Sequence, residues 1–282
     1  MSRGRVVVPR GALVAGAAGL LAVACASPGA AVRFAVKGDW GDGSTSQIAV
    51  TKRMCAEHSR TPFAFTLTTG DNFYPSGAAT PAVFQSPERC LIARGIPYRA
   101  AWGNHDAGGS STRTALATPS RWYTFISGPI RFVVLDANQP SSLKQLTFLQ
   151  RTLTAETVRP VIVSYHQGTR TAGLHPPQLE QQRRWEPLFV KHKVRLVLQG
   201  HNHLYERINY KGITYVTSGG GGYSALYPCV RKTVGLVLCK PVHHFLLVEA
   251  TAAGIGVRAI GTNGALIDRF RIALTPPVPT AA

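Results

Sequence analysis

From Val32 onward, apolar runs of strand length end, one after another, in a short polar motif. Val32 to Val36 leads into Gly38-Asp39, and Phe63 to Thr69 into Gly70-Asp71-Asn72-Phe73-Tyr74. Tyr98 to Trp102 leads into Gly103-Asn104-His105-Asp106, Val161 to Tyr165 into His166, and Val194 to Leu198 into Gly200-His201-Asn202-His203. A further run, Ile130 to Leu135, ends at Asp136. Helix-like spacing separates several of these runs, over Gln47 to Glu57, Ser141 to Leu153 and Pro177 to Lys191. Ser141 or Ser142 is placed to cap the second, and Pro187 to kink or end the third. Strand, helix, strand in succession predicts βαβ units, and open sheets built from them bind ligands outside the carboxyl ends of their strands. After Arg207 the runs Ile208–Tyr210, Ile213–Val216, Phe245–Glu249, Ile255–Ile260 and Leu266–Ile272 are separated by turns. Lys211-Gly212 and Asn263-Gly264 are hairpin signals, so this part predicts an antiparallel addition.

A lone Gly-Asp or His-x-His is commonly a turn. Five motifs in order, each at a predicted strand end, form a donor set instead. Asp39 and Asp71 offer anionic oxygen, Asn104 an amide oxygen, and His166, His201 and His203 imidazole nitrogen. One carboxylate bridging two cations offsets their mutual repulsion, so this is a ligand set for two adjacent hard or borderline metal ions and points to a hydrolase acting on a phosphate ester. Tyr74 is unusual, because a phenol of pKa about 10 ionises at neutral pH only on a strong Lewis acid. The alternative for Tyr74 is a packing role at a loop corner. No G-x-S-x-G elbow or P-loop pattern supports a serine hydrolase or a nucleotide-binding loop.

The motif set, from about Gly38 to Arg207, resembles the calcineurin-like metallophosphoesterases, and a tyrosine three residues after the second aspartate is similar to the small single-domain purple (tartrate-resistant-type) acid phosphatases. The resemblance implies a four-layer α/β sandwich, with two central mixed β-sheets flanked by helices. It implies Fe³⁺ held by Asp39, Asp71, Tyr74 and His203, and a divalent Fe, Zn or Mn held by Asp71, Asn104, His166 and His201. It implies hydrolysis of phosphate monoesters by direct attack of a metal-bound hydroxide. His105 matches the histidine that contacts substrate phosphate and protonates the leaving oxygen. His175, nine residues beyond His166, lies close to where plant members place another substrate-side histidine, with a solvent-exposed loop position as the alternative. A phosphodiesterase of the same superfamily is the runner-up, and a non-catalytic metal-containing binding protein a third reading. Asp106 reads as a structural partner, and His58, His192, His243 and His244 as surface or core residues. The segment Gly168 to Pro177 departs from the small-member pattern and would border the substrate. Gly219 to Gly222 follows a predicted strand and either approaches the site or makes a flexible turn.

The chain has 282 residues, 45% of them hydrophobic, enough for one substantial core or two small ones. Residues 1–26 read as an export signal, with Arg3, Arg5 and Arg10 before the apolar run Gly11 to Ala24. That run is short of the ~20 residues a membrane span needs. Ala22-Val23-Ala24 offers a cleavage site before Cys25, and lipidation of Cys25 competes with ordinary cleavage nearby. The catalytic domain is expected over 31–274, followed by a Pro-rich tail over 275–282. Cys55, Cys90, Cys229 and Cys239 are an even set in an oxidising compartment, and pairing Cys55 with Cys90 and Cys229 with Cys239 is one of the three connectivities open to four cysteines. The formal charge of +18 becomes +15 without the signal arginines (28 Lys+Arg against 13 Asp+Glu). Such a charge suits anionic esters or anionic cell-surface polymers, and the scatter of the basic residues argues against nucleic acid. The expectation is an exported protein, secreted, periplasmic or at the cell surface, with no transmembrane span in its mature form; its oligomeric state is left open, with a monomer favoured.

Overall fold

The computed structural model describes Met1 and residues 30–108 and 110–274. The export signal with Cys25, Met1 aside, and the tail over 275–282 lie outside the described residues. The first sheet has the order β13-β12-β11-β1-β2-β3, from Leu266–Ala273 (β13), Gly254–Gly261 (β12), His244–Thr251 (β11), Val32–Lys37 (β1), Thr66–Thr68 (β2) and Tyr98–Ala100 (β3). The second has the order β10-β8-β9-β7-β6-β5-β4, from Leu236–Lys240 (β10), Tyr205–Tyr210 (β8), Ile213–Ser218 (β9), Leu196–Gln199 (β7), Val161–Ser164 (β6), Ile130–Val134 (β5) and Tyr123–Ser127 (β4). β1, β2 and β3 run parallel, as do β5, β6, β7 and β9. The late strands join antiparallel, β8 to β9 and β11 to both β1 and β12, so the predicted hairpins form, with Lys211, Gly212 and Gly264 at positive φ.

Alternation along the central strands sorts the side chains into layers. Phe34 and Val36 of β1, Phe132 and Val134 of β5, and Leu196 and Leu198 of β7 meet between the two sheets. Ala35 points the other way, against Val50 and Met54 of helix α1 (Thr45–Arg60). Val133, Val163 and Val197 pack outward against Leu149 and Leu153 of the helix Leu143–Ala155, and against Trp185 and Phe189. Strands buried on both faces read as near-continuous apolar runs, and here they sit at the centre of an α/β/β/α sandwich.

Local chemistry sets the helix ends. Ser44 accepts from the Gln47 amide at the start of α1, and Ser142 does the same for Gln145. The helix expected over Pro177 to Lys191 is two, Leu179–Arg184 and Glu186–Lys191, because Pro187 has no N–H to continue the first and suits the opening turn of the second. The disulfides are Cys55–Cys90 and Cys229–Cys239. Among the described residues no helix is long and apolar enough to cross a membrane.

His244 is fully buried in β11, its Nδ1–H donating to the Val242 carbonyl and its Nε2 accepting from the Ser218 hydroxyl. Burial pushes this imidazole down to about 4 from an ordinary 6.5, against the pull of the Val242 hydrogen bond. The unfolded chain therefore binds a proton there that the folded chain refuses, so stability falls as pH drops from 6.5 towards 4 and is unaffected by this group above that window. His244→Gln is expected to make the denaturation midpoint less sensitive to pH across that interval. An unchanged pH slope in the variant would contradict this.

Candidate metal centre

Each motif follows a strand end. Asp39 follows β1, Asp71 follows β2, Asn104 and His105 follow β3, His166 follows β6, and His201 and His203 follow β7. Asp39, Asp71 and His201 have φ of 56°, 48° and 70°, so the chain turns sharply at each and aims the side chain across the gap between the sheets. Gly103 is required by this packing, since a Cβ there would collide with the Asp71 carboxylate. The Gly219–Gly222 run does approach the site: a Cβ on Gly219 would strike the Asn202 carbonyl and come within 3.0 Å of Asp39 Oδ2.

The donor atoms form two groups. Tyr74 Oη lies 3.4 Å from Asp39 Oδ1, 3.1 Å from Asp71 Oδ2 and 3.2 Å from His203 Nε2. His166 Nε2 lies 3.2 Å from Asp71 Oδ2, 3.1 Å from Asn104 Oδ1 and 3.3 Å from His201 Nδ1. Asp71 belongs to both groups. Backbone carbonyls fix the ring orientation, because a carbonyl only accepts. His166 Nδ1–H donates to Thr69 O at 2.9 Å and His203 Nδ1–H to Ala225 O at 2.9 Å, which leaves both Nε2 atoms facing the carboxylates. Histidines that ligate metals are held in this way.

The electrostatics also fit a cation. Burial alone would lower the His166 pKa, but Asp71 and then Asp39 outweigh it and raise it to about 9. Burial pushes Asp71 up, and the charge on His166 more than offsets this and holds the carboxyl well below the usual range. His166 Nε2 thus lies at the point where carboxylate, amide and imidazole donor atoms converge. Burial, His166 and His175 push His201 down to about 3, keeping it a neutral donor. Burial, then Asp39 and Asp71, push the Tyr74 phenol well above its usual value, so only a strong positive charge at its oxygen would ionise it.

Around this cluster sit the substrate-side candidates. His105 Nδ1–H donates to Pro75 O at 2.6 Å, and its Nε2 stands 4.0 Å from Asp71 Oδ2 with the side chain 38% exposed. His175 also comes to the site, its ring 4.2 Å from that of His201 and its backbone N–H on Asn202 Oδ1 at 2.8 Å. Asp106 is buried and accepts from the backbone of Asn72 and Gly103, as a structural partner does. Burial and then Asp71 raise its pKa to about 6. Sequence reasoning missed Tyr223 and Tyr227. Tyr223 packs on Tyr74 with centroids 4.1 Å apart, and Tyr227 stacks on His203 at 4.0 Å. Both lie in a stretch without periodicity, and the preceding glycine run was the one signal pointing there.

Four layers with a carboxylate, imidazole, amide and phenol cluster at the strand ends define the architecture of a metallophosphatase. A model of the calcineurin-like phosphoesterase family matches residues 32–205, and the chain belongs to that family. It is 27% identical over 231 residues to purple acid phosphatase 3 of Arabidopsis thaliana, covering 67% of this chain and 63% of that protein, less than two thirds of the relative's length. It is 25% identical over 244 residues to tartrate-resistant acid phosphatase type 5 of Oryctolagus cuniculus, covering 68% and 73%. In fold it is similar to GAP50, the anchor in the inner membrane complex of Plasmodium, with a TM-score of 0.77 at 19% identity over 87% and 89% of the chains. A purple acid phosphatase from Lupinus luteus seeds gives a TM-score of 0.65 at 17% identity, over 87% of this chain and 54% of that one.

Proposed function

We propose that this is an exported acid phosphatase that hydrolyses phosphate monoesters at a two-metal centre. The observation that carries the reading is the division of the donor atoms into two groups sharing Asp71. Asp39, Asp71, Tyr74 and His203 would hold a ferric ion, and Asp71, Asn104, His166 and His201 a divalent Fe, Zn or Mn. Cations bound there supply Lewis acidity towards the phosphoryl oxygens and a nucleophile from water at neutral pH. The protein's own residues do the rest. Asp71 joins the two sets, and the Thr69 and Ala225 carbonyls keep two of the imidazoles oriented. His105, anchored through Nδ1 to Pro75, presents Nε2 on the open side, where, with both ring nitrogens protonated, it would contact the phosphoryl group and give its Nε2 proton to the departing oxygen. His175 borders the same side. The oxidised cysteine pairs favour export, and the net charge of +18 over the whole chain favours anionic esters.

Turnover of 4-nitrophenyl phosphate against bis(4-nitrophenyl) phosphate tests the reading. A preference for the diester would replace it with a phosphodiesterase, and metal-loaded protein inert on every ester would replace it with a binding protein. Tyr74 supplies a second test. The iron-loaded protein is expected to be purple or pink through phenolate bound to Fe³⁺, and Tyr74→Phe to lose that visible band while keeping its iron. Colour that survives the substitution would remove Tyr74 from the ligand set.

A further inference from the structure

The two histidines of the Gly200–His203 motif each carry an aromatic ring on the outer side. Tyr227 lies parallel to His203, centroids 4.0 Å apart at 12°, and His175 lies over His201 at 4.2 Å and 30°. These outer rings meet edge to face at 5.2 Å and 73°, so together they form one ledge beside the donor cluster. Asp39, Asp71 and His166 are buried, whereas Tyr227 and His175 are partly exposed.

The ledge is built from two loops that are fastened together. The backbone N–H groups of Val230 and Arg231 donate to Ala172 O at 2.8 and 2.9 Å, and Thr233 Oγ1 donates to Thr171 O at 2.9 Å. The Arg231 guanidinium donates to the carbonyls of Gly173 and Leu174, directly before His175. The Cys229–Cys239 bond closes the segment just beyond Tyr227. A surface held this way loses little freedom when a ligand lands on it. Its chemistry is that of flat rings, and Arg231 Nη1 spends its hydrogen bonds on the Gly173 and Leu174 carbonyls. An aromatic leaving group finds faces and edges to pack against on this ledge.

We propose that Tyr227 and His175 form the leaving-group subsite, and that it favours phosphate monoesters of flat aromatic alcohols over those of polyols. This rests on the phosphoesterase reading of the adjoining site. The test measures kcat and KM for phenyl phosphate and glycerol 3-phosphate in the metal-loaded wild-type protein and in Tyr227→Leu and Tyr227→Phe, with metal content determined for each. Tyr227→Leu is expected to lower kcat/KM for phenyl phosphate about tenfold, mainly through KM. The ratio of kcat/KM for phenyl phosphate to that for glycerol 3-phosphate should fall by the same factor, and Tyr227→Phe should retain the aryl preference. Equal losses on both esters together with lost metal would make Tyr227 a support for His203 alone and overturn the subsite. Inhibition of the wild-type protein reads the same contact without any substitution. Phenylphosphonate should bind about tenfold more tightly than methylphosphonate, and equal inhibition constants overturn the proposal. Wild-type protein that turns over esters with an unchanged ratio in Tyr227→Leu sinks only the subsite. Wild-type protein that hydrolyses neither ester sinks the phosphoesterase reading as well.

Discussion

Asp71→Asn is expected to remove most of the bound metal and to cut kcat/KM on an aryl monophosphate by about a thousandfold or more. The size follows from the geometry. Asp71 Oδ2 is 3.1 Å from Tyr74 Oη and 3.2 Å from His166 Nε2, so it is the atom common to both donor groups. Metal-assisted stabilisation of transition-state charge is worth several kcal/mol, and each 1.36 kcal/mol is a factor of ten. The substitution keeps the shape of the side chain, so the fold should survive, while the negative charge shared by the two donor groups is lost. Asp71 Oδ1 also accepts from the His105 backbone at 2.9 Å, which ties the proposed proton donor to the same residue. Metal analysis and steady-state kinetics on one preparation check the expectation. A variant with full metal and full turnover would remove Asp71 from the bridging position.

The second large effect concerns stability. Lys37 closes β1 two residues before Asp39, and its Nζ lies 2.6 Å from Glu88 Oε2 with both side chains wholly buried. Glu88 also accepts from Gln47 Nε2 at 2.9 Å, Thr51 Oγ1 at 2.8 Å and the Tyr98 hydroxyl at 2.7 Å, and the ammonium sits 4.0 Å over the Trp40 ring. Burial lowers the Lys37 pKa, and the Glu88 carboxylate opposes this. Lys37→Met leaves a buried carboxylate with neutral donors and no cation, a loss of about 3–5 kcal/mol. The melting temperature should drop by about 10 °C. Glu88→Gln added to Lys37→Met removes the stranded charge and should recover most of the loss, because a buried pair replaced whole is often near neutral. Denaturant titration of the two variants tests this. A single variant as stable as the wild type would show that the pair contributes nothing.

The catalytic half of the chain was legible because its signals are local. Val32–Val36, Val161–Tyr165 and Val194–Leu198 are largely buried on both faces and so read as near-continuous apolar runs, broken by Arg33, Ser164 and Arg195. The donor residues follow those runs directly, since strand ends are where the crevice lies. The turn at Lys211-Gly212 was equally local. The strands β4 and β10 were missed for the opposite reason. They are the edge strands of their sheet; in β10 Leu236, Val237 and Lys240 are exposed, and in β4 only Tyr123 and Phe125 face the core, too short an alternation to stand out. The loop histidine at position 175 gave only a loose correspondence, and the fold brings it to His201 through Asn202 and Arg231.

By itself, then, the order of residues determined the layered α/β architecture and the chemical kind of each donor, because periodicity and ligand chemistry are properties of neighbouring residues. Only the tertiary structure decided how the donors divide around Asp71, which ring nitrogens face inward, and that Tyr227 and His175 form one surface. It alone paired Lys37 with Glu88, 51 positions away. Those relations are set by packing and hydrogen bonds between residues far apart in the chain, and no local pattern encodes them.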